Sequence, residues 1–480
     1  MQRKFVSNLL FVLLLNLLVK PFWIWGIDVA VQNRVGAEEY GFYYSIFNFS
    51  ILLNIVLDFG ITNYNNRNIA QHSHMLSRYF SGIFNVKLFL GAIYMVFTLI
   101  LGFVIGYERK EILFLFILGV NQFLASLILY LRSNITGLHL FKLEGLLSVL
   151  DRLLMIVICG ALLWGSFVES DFQIEWFIYA QFIAYLLTAI VAFFIVLSKT
   201  TFFKVKIDLA VFRIILRESM PFALLVLLMS FYYRLDSVMI ERLLPNGKFE
   251  TGIYAQAYRI LEGFNMFGYM FAGLLLPIFS RMIKENQQVQ ALVKLSFNLI
   301  YIPACAIATI ALIYPYEIMD LLYLENVAAS AEVFEVLMLS FIAIALTYIY
   351  GTLLTANGSL KELNRISVIG LVINFGLNLT LIPDYGAYGA AIATLITQVL
   401  IISLQIIMAK KIFRMNYSVS FISRTLLFAL IGLAFAVWSG AWFSNFIYHA
   451  IAIGFSYLLL TFLLGLVKPK EVLLLIKEKS

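Results

Sequence analysis

Ser230-Phe231-Tyr232-Tyr233-Arg234-Leu235-Asp236-Ser237-Val238-Met239-Ile240 sets two opposite charges inside an apolar run, 222–244, long enough to cross a bilayer as a helix. A charge near the middle of such a helix costs about 2.5–3.5 kcal/mol on insertion scales. A chain carries that cost when the charge faces a watery cavity or a counter-charge inside the bundle. The rest of the sequence reads as the wall around such a cavity.

Working outward, the 480 residues are 62% hydrophobic and only 13% charged, with a mean hydropathy of +0.94. Soluble domains are nearer half apolar and a quarter charged, so the chain reads as an integral membrane protein. Its net charge of +7 sits in short connections between apolar runs, which speaks against nucleic acid as a ligand. Cys159 and Cys305 lie within apolar segments and offer no disulfide framework. The start, Met1-Gln2-Arg3-Lys4 and then apolar residues, imitates a signal peptide. It lacks a small-x-small cleavage site and continues past Trp25, which favours an uncleaved first span.

Runs of about 20 apolar residues predict fourteen spanning helices, at 5–30, 40–64, 78–106, 112–137, 144–166, 173–198, 219–243, 252–277, 291–314, 331–356, 363–383, 385–409, 421–443 and 446–466. Basic residues fill the even-numbered connections: Arg67 and Arg78; Lys142; Lys199, Lys204, Lys206, Arg213 and Arg217; Arg281 and Lys284; Lys361 and Arg365; Lys410, Lys411 and Arg414. The tail adds Lys468, Lys470, Lys477 and Lys479. Odd-numbered connections lean acidic, through Glu169, Asp171 and Glu175, then Glu317, Asp320, Glu325, Glu332 and Glu335. The alternation predicts a multi-pass protein with both termini cytoplasmic.

The halves repeat. Tyr40-Gly41-Phe42-Tyr43 matches Thr251-Gly252-Ile253-Tyr254 at an offset of 211, and Gln181 falls opposite Gln398 at 217. Between these, Thr136, Lys142, Ser148 and Val149 match Thr355, Lys361, Ser367 and Val368 at 219. Six helices per unit is an even number, so the expected fold is all-α. It has two parallel six-helix lobes, 1–205 and 206–415, followed by helices 13 and 14 with a tail at 416–480. Such lobes describe a transporter that rocks between two open states.

Charges and breaks within the spans nominate the site. Lys20-Pro21 lies deep in the first span, and Pro303 marks a second bend; Pro221 and Pro277 sit near predicted helix ends, where termination explains them. Arg234 and Arg259 fall roughly 10–14 Å below the outer surface. Glu262 shares a face with Arg259, and Tyr232, Tyr233, Tyr254 and Tyr258 surround these charges. An Arg234–Asp236 or Arg259–Glu262 ion pair that only orders the lobes is the bland reading. Guanidinium forks also suit phosphate oxygens, and aromatic faces suit sugar rings. A second group nearer the cytoplasm comprises Asp58, Arg67, Arg132, Asp151 and Arg152, of which Arg67 and Arg132 can snorkel. His72 and His74 lack metal-ligand spacing, and no phosphate-loop pattern occurs, so neither a metal nor a nucleotide cofactor is expected. Gly386, Gly389, Ala390 and Ala393 read as close backbone approach. The stretch 206–217 is either a linker or a helix lying along the inner leaflet.

Several stretches resemble bacterial polysaccharide-repeat-unit flippases of the Wzx type, in the multidrug/oligosaccharidyl-lipid/polysaccharide exporter superfamily. They are Arg34-Val35-Gly36-Ala37-Glu38-Glu39-Tyr40-Gly41, Asp58-Phe59-Gly60 with Arg67-Asn68-Ile69-Ala70, and Tyr233-Arg234-Leu235-Asp236. Further on come Gly252-Ile253-Tyr254 to Arg259-Ile260, Leu276-Pro277 with Ser280-Arg281, and Asp384-Tyr385-Gly386-Ala387-Tyr388-Gly389-Ala390-Ala391. The resemblance implies MATE-like lobes and transfer of a polyprenyl-diphosphate-linked oligosaccharide to the outer leaflet of a bacterial inner membrane. That transfer would serve O-antigen, lipopolysaccharide or capsule assembly, with a polysaccharide polymerase and a chain-length protein as candidate partners besides membrane lipids.

Candidate cavity residues are then Arg34, Arg234, Arg259, Lys20, Arg152, Tyr233 and Tyr254. Asp58, Asp236, Glu262 and Asp151 are candidates for lobe ion pairs or for coupling to a proton or sodium counter-ion. A cation-coupled multidrug exporter and a lipid II flippase of the same superfamily are the alternatives. The former should favour carboxylates over arginines in its cavity. A membrane-embedded glycan polymerase or acyltransferase would need a large outer loop or a buried His constellation, and the longest outer connection is only 314–331, so the chain is expected not to be an enzyme.

Overall fold

A computed structural model describes residues 15–16, 18–62, 65–66, 69, 72, 74, 76–138, 140–165, 172–202 and 209–466, and no strand occurs among them. Of the predicted span 5–30, residues 5–14 and 17 lie outside the described residues. So do Arg67, Asn68 and Ala70, the loop residues Glu169, Asp171, Lys204 and Lys206, and the tail lysines Lys468, Lys470, Lys477 and Lys479.

Just after Pro21 the helix widens into a π-helical turn, Trp23–Asp28, and continues as α1 (Val29–Leu52). Inside α1, Gly36 takes φ 78°, ψ 171°, which only a residue without a Cβ adopts freely, so the predicted loop is a sharp kink in one run. The predicted span 40–64 ends early. At Leu53 the chain enters a 3-10 turn, Asn54–Leu57, and Phe59 (φ 44°) and Gly60 (φ 79°) complete a break. Then follow α2 (Leu76–Ile105), α3 (Arg109–Gly137), α4 (Phe141–Trp164), α5 (Ile174–Leu197) and α6 (Leu209–Leu243). The stretch weighed between linker and surface helix is thus, from Leu209 on, the start of α6.

α7 (Gly247–Lys284) has 38 residues, about 57 Å at 1.5 Å each, well beyond an apolar core of about 30 Å. It continues past Pro277 to Lys284, correcting the expectation that this proline ends a helix. α8 (Gln290–Ile313) contains Pro303, and α9 (Pro315–Leu322) opens on a proline, where the missing N–H costs nothing. α10 (Val327–Ala356) precedes α11 (Leu360–Phe413), which turns at Gly386 (φ 56°) and so covers both predicted spans 363–383 and 385–409. A Cβ on Gly389 would lie 2.4 Å from the Leu381 carbonyl oxygen, the close approach expected of that small-residue stripe. α12 (Val419–Ser439) is capped by Ser418 and α13 (Phe446–Leu463) by Asn445, whose side chains accept the N–H of Phe421 and Ile447. Among the described residues, eleven helices are long and apolar enough to cross a membrane, so the chain is a multi-pass membrane protein.

The chain divides into two compact units, Met1–Ala255 and Gln256–Ser480. In the first, α3 lies against α2, α5 and α1, α4 packs on α5, and α6 packs along α1. Its apolar centre joins Phe80, Ile83, Tyr130, Leu131 and Val196. In the second, α10 packs against α11 and α8, and α12 and α13 lie on α8. That placement is fixed by hydrogen bonds. Thr309 and Tyr457 hydroxyls meet at 2.7 Å, the Ser439 hydroxyl meets His449 Nε2 at 2.7 Å, and Asn298 donates to the Leu466 carbonyl.

The two repeat-matched glycines face each other's helices. A Cβ on Gly41 would stand 1.8 Å from the Lys248 carbonyl oxygen and 2.5 Å from the Gly252 nitrogen; one on Gly252 would stand 1.9 Å from the Ala37 carbonyl oxygen. Ala37 and Gly41 match Lys248 and Gly252 at the same offset of 211, so each matched segment meets the other through the same positions. Ala37-x-x-x-Gly41 supplies the small-residue face that lets the backbones touch.

Candidate functional site

The π-helical turn after Pro21 sets Lys20 and Trp23 against the interior of the first unit, where α3, α4 and α5 bring three further groups. The charges acting on Lys20 are those of Arg152, Arg132, Asp151 and Glu144. Arg152 donates to the Tyr185 hydroxyl at 2.9 Å, and its guanidinium lies 5.7 Å from the Trp23 ring centre and 5.6 Å from that of Tyr185. Trp23 is itself stacked on Phe177 at 5.7 Å. Asp151 approaches Arg152 at 4.0 Å and accepts its backbone N–H, while Glu144 pairs with Arg132. All four of these side chains remain 17–28% exposed. Three basic side chains thus lie within electrostatic reach of two carboxylates among spanning helices, an excess of one positive charge. An anion entering there gains charge-assisted hydrogen bonds and aromatic surface together.

Of the predicted cytoplasmic group, the structure brings Arg132, Asp151 and Arg152 together and adds Lys20. It gives Asp58 to another cluster. Asp58 pairs with Lys87 of α2, a residue the charge reading passed over although it interrupts the apolar run 78–106 as plainly as Arg234 interrupts its own. Asp28, also passed over, is 1% exposed and accepts the Tyr40 hydroxyl at 2.9 Å. Its signal was a spacing: Asp28 with Arg34 repeats as Asp236 with Arg242, 208 residues on in both cases.

Arg234 donates to the Asn48 side-chain oxygen at 3.1 Å, which ties α6 to α1. Asp236, 2% exposed, accepts the Tyr254 hydroxyl at 2.9 Å; Tyr232 and Tyr233 stand 4.7 Å apart. In the second unit Arg259 meets Glu262 at 2.7 Å, with both side chains under one-fifth exposed, as their spacing predicted. Arg34 is exposed, two residues before the Gly36 kink.

At the ends of α2, α3 and α6 a cavity of about 490 Å³ is lined by Glu38, Glu108, Glu111, Glu241, Arg242 and Lys248, among others. Glu111 is its hub. It accepts the Glu108 backbone N–H at 2.9 Å and pairs with Arg242 at 3.2 Å and Lys248 at 3.1 Å. Arg242 lies 4.0 Å over the Tyr107 ring; burial, and after it the Glu241 and Glu111 carboxylates, push that phenol above the usual tyrosine range against the pull of Arg242. Glu111→Gln keeps the shape and removes the charge, and it is expected to cost about 1 kcal/mol, because Arg242 and Lys248 stay 27% and 41% exposed and water replaces part of the attraction. Thermal denaturation in detergent, in a cycle with Arg242→Gln, checks this; additive losses would show that the pair is not coupled.

No group of three His, Cys, Asp or Glu side chains suited to a metal occurs among the described residues. The model of the polysaccharide biosynthesis protein family matches residues 5–283. No curated protein matches the chain. Among solved structures, the chain is similar to the lipid II flippase MurJ in an inward closed conformation, with TM-score 0.71 and 15% identity over 95% of this chain and 97% of that one. A MATE family multidrug resistance transporter of the MOP superfamily, inward-facing, gives 0.64 at 14% identity over 82% and 94%. A MOP superfamily transporter from Pyrococcus furiosus, described as having a binding pocket of reverse polarity, gives 0.58 at 15% over 83% and 95%. At these identities the likeness establishes the fold alone, the one these transporters share.

Proposed function

The chain belongs to the polysaccharide biosynthesis protein family, and from that premise we propose that it is a flippase for a polyprenyl-diphosphate-linked oligosaccharide. Alternating access would carry the repeat unit from the cytoplasmic to the outer leaflet of a bacterial inner membrane, for assembly of a surface polysaccharide such as O-antigen or capsule. The observation that carries the proposal is the net-positive group Lys20, Arg132 and Arg152 with Asp151 and Glu144, set beside Trp23 and Tyr185. A diphosphate cannot shed its water into hydrocarbon unless other donors replace that water. Partly exposed guanidinium and ammonium groups are such donors, the aromatic rings suit sugar faces, and the polyprenyl tail would stay in lipid.

Within the first unit Arg234 would add to that polarity on α6, with Arg34, Tyr233 and Tyr254 as further contacts; Arg259 is the candidate of the second unit. Asp58, Asp236, Glu262 and Asp151 balance or couple the charges. The excess of cations argues against a cationic drug as cargo. One second reading keeps support: the fold likeness to a lipid II flippase, whose cargo by its name is also a lipid-linked molecule.

Arg152→Ala should insert normally yet lower surface glycan delivery roughly tenfold or more, the loss expected for a charge-assisted bond made to cargo. Arg234→Ala and Arg259→Ala should act in the same direction. Blotting of surface polysaccharide against membrane levels of the protein reads the result, and unchanged delivery by all three variants would remove them from the mechanism. Rescue of a strain lacking its lipid II flippase, without restored polysaccharide, would favour the second reading.

A further inference from the structure

The last turns of α11 and the residues just after it border a cavity of about 500 Å³, lined by Ile407, Lys410, Lys411, Arg414, Met415 and Asn416. Half of those side chains are cationic and none is acidic. Lys410, Lys411 and Arg414 are exposed, and among the described residues no carboxylate lies within ion-pair reach of them. Ile407 stands three and four positions before the two lysines, hence on their face of the helix. Val399 and Ile407, eight residues apart and both exposed, continue that face as an apolar ridge.

The chain that closes the cavity is pinned. Arg414 ends the helix in the left-handed conformation (φ 49°), and the buried Met415 donates its N–H to the Lys410 carbonyl at 3.2 Å. Gln290 of α8 clamps Asn416 from both sides, accepting its N–H at 3.1 Å and donating to its carbonyl at 2.7 Å. The Tyr417 hydroxyl meets that of Tyr350 at 2.9 Å. A frame held this way loses little freedom when a ligand settles on it.

Basic residues at a helix C-terminus also answer the helix dipole, which by itself accounts for one or two of them. α7 ends on the same kind of residue, Arg281, but there Glu285 pairs with it at 2.8 Å. At the end of α11 three cations within five residues repel one another with no such carboxylate. Arginine adds to the cost, because glycine or asparagine suits a left-handed C-cap better. An anion from outside the chain would balance these charges.

We propose that this cavity binds the phosphate headgroup of an anionic phospholipid, with one acyl chain lying along the ridge from Val399 to Ile407. The ridge favours a lipid over a free phosphate, which has no use for apolar surface. The alternation of basic and acidic connections puts Lys410, Lys411 and Arg414 on the cytoplasmic side, where basic pockets between spanning helices meet anionic headgroups. These residues belong to the second unit and include none of the Lys20 group of the first, so the site stands or falls apart from the transport reading.

Native mass spectrometry of the full-length protein in detergent tests this, with titration by dioleoylphosphatidylglycerol, dioleoylphosphatidylcholine or inorganic phosphate. The expected result is one phosphatidylglycerol held roughly tenfold or more tightly than phosphatidylcholine, each cation contributing about fivefold, and phosphate weaker than both. Lys410→Gln, Lys411→Gln and Arg414→Asn together should abolish the preference. Lys284→Gln, Lys361→Gln and Arg365→Gln take as much charge from exposed residues outside the cavity and should leave the preference intact. Ile407→Asn should weaken the lipid several-fold without changing phosphate. If the triple cavity variant does not fold, Lys411→Gln alone serves and should lose about fivefold. Equal losses in the two triple variants, or no preference for the anionic lipid in the native chain, would overturn the proposal. So would phosphate binding as tightly as the lipid, or a polyprenyl diphosphate displacing phosphatidylglycerol, which would make the cavity a cargo site.

Discussion

Gly252→Val is expected to lower thermal stability in detergent by several degrees and to reduce the amount of folded protein in membranes. The added Cβ would fall 1.9 Å from the Ala37 carbonyl oxygen, 2.6 Å from its carbonyl carbon and 2.8 Å from its Cα. These are backbone atoms of a kinked helix, so no side chain can swing aside, and the start of α7 must move off α1. Overpacking costs about 1–3 kcal/mol when side chains absorb it, and this substitution belongs at the upper end or beyond. Gly41→Val should act alike, since its Cβ would meet the Lys248 carbonyl oxygen at 1.8 Å. Gly273→Ala, in the same helix α7 but with nothing within 4 Å, is the control and should be neutral or slightly stabilising. If Gly252→Val and Gly273→Ala melted alike, close contact between α1 and α7 would not hold in the membrane protein.

Asp58→Ala is expected to destabilise by about 3–5 kcal/mol, nearer the lower figure because Asp58 keeps some contact with water. The loss comes less from the missing attraction than from the Lys87 ammonium left buried without a counter-charge. Lys87→Met should cost less, since the carboxylate that remains can be hydrated. Combining Asp58→Asn with Lys87→Met should recover most of the stability lost by Asp58→Ala, because no charge then needs compensation. Denaturation of the three variants in one detergent reads these differences, and a double variant as unstable as Asp58→Ala would contradict the cause given.

How far the site was legible in the chain differs from residue to residue. Arg259 and Glu262 were readable because helical spacing alone makes neighbours of positions three apart, and their ion pair is local. Arg132, Asp151 and Arg152 were readable as a group by depth, though the rotation of α3 and α4 that turns them toward Lys20 was not. Asp58 was assigned to that group because depth is common to both clusters. Which cluster it joins depends on where α1 breaks, and a 3-10 turn followed by a positive φ at Phe59 has no periodic signature in an apolar run. Lys87 is legible in the sequence itself, since it interrupts an apolar run as plainly as Arg234 does.

Hydropathy, the alternation of basic and acidic connections and the faint repeat determined by themselves a helical multi-pass membrane protein with charges in its spans. That much follows from chain-local physics: a bilayer demands long apolar helices, and each buried charge stands out against them. Tertiary structure alone decided which charges meet, that Gly41 and Gly252 face each other's helices, and that Glu111 gathers Arg242 and Lys248 around a cavity. Those outcomes depend on the rotation of each helix about its axis and on where it kinks. Packing between segments far apart in the chain sets both, and no spacing within one segment encodes them.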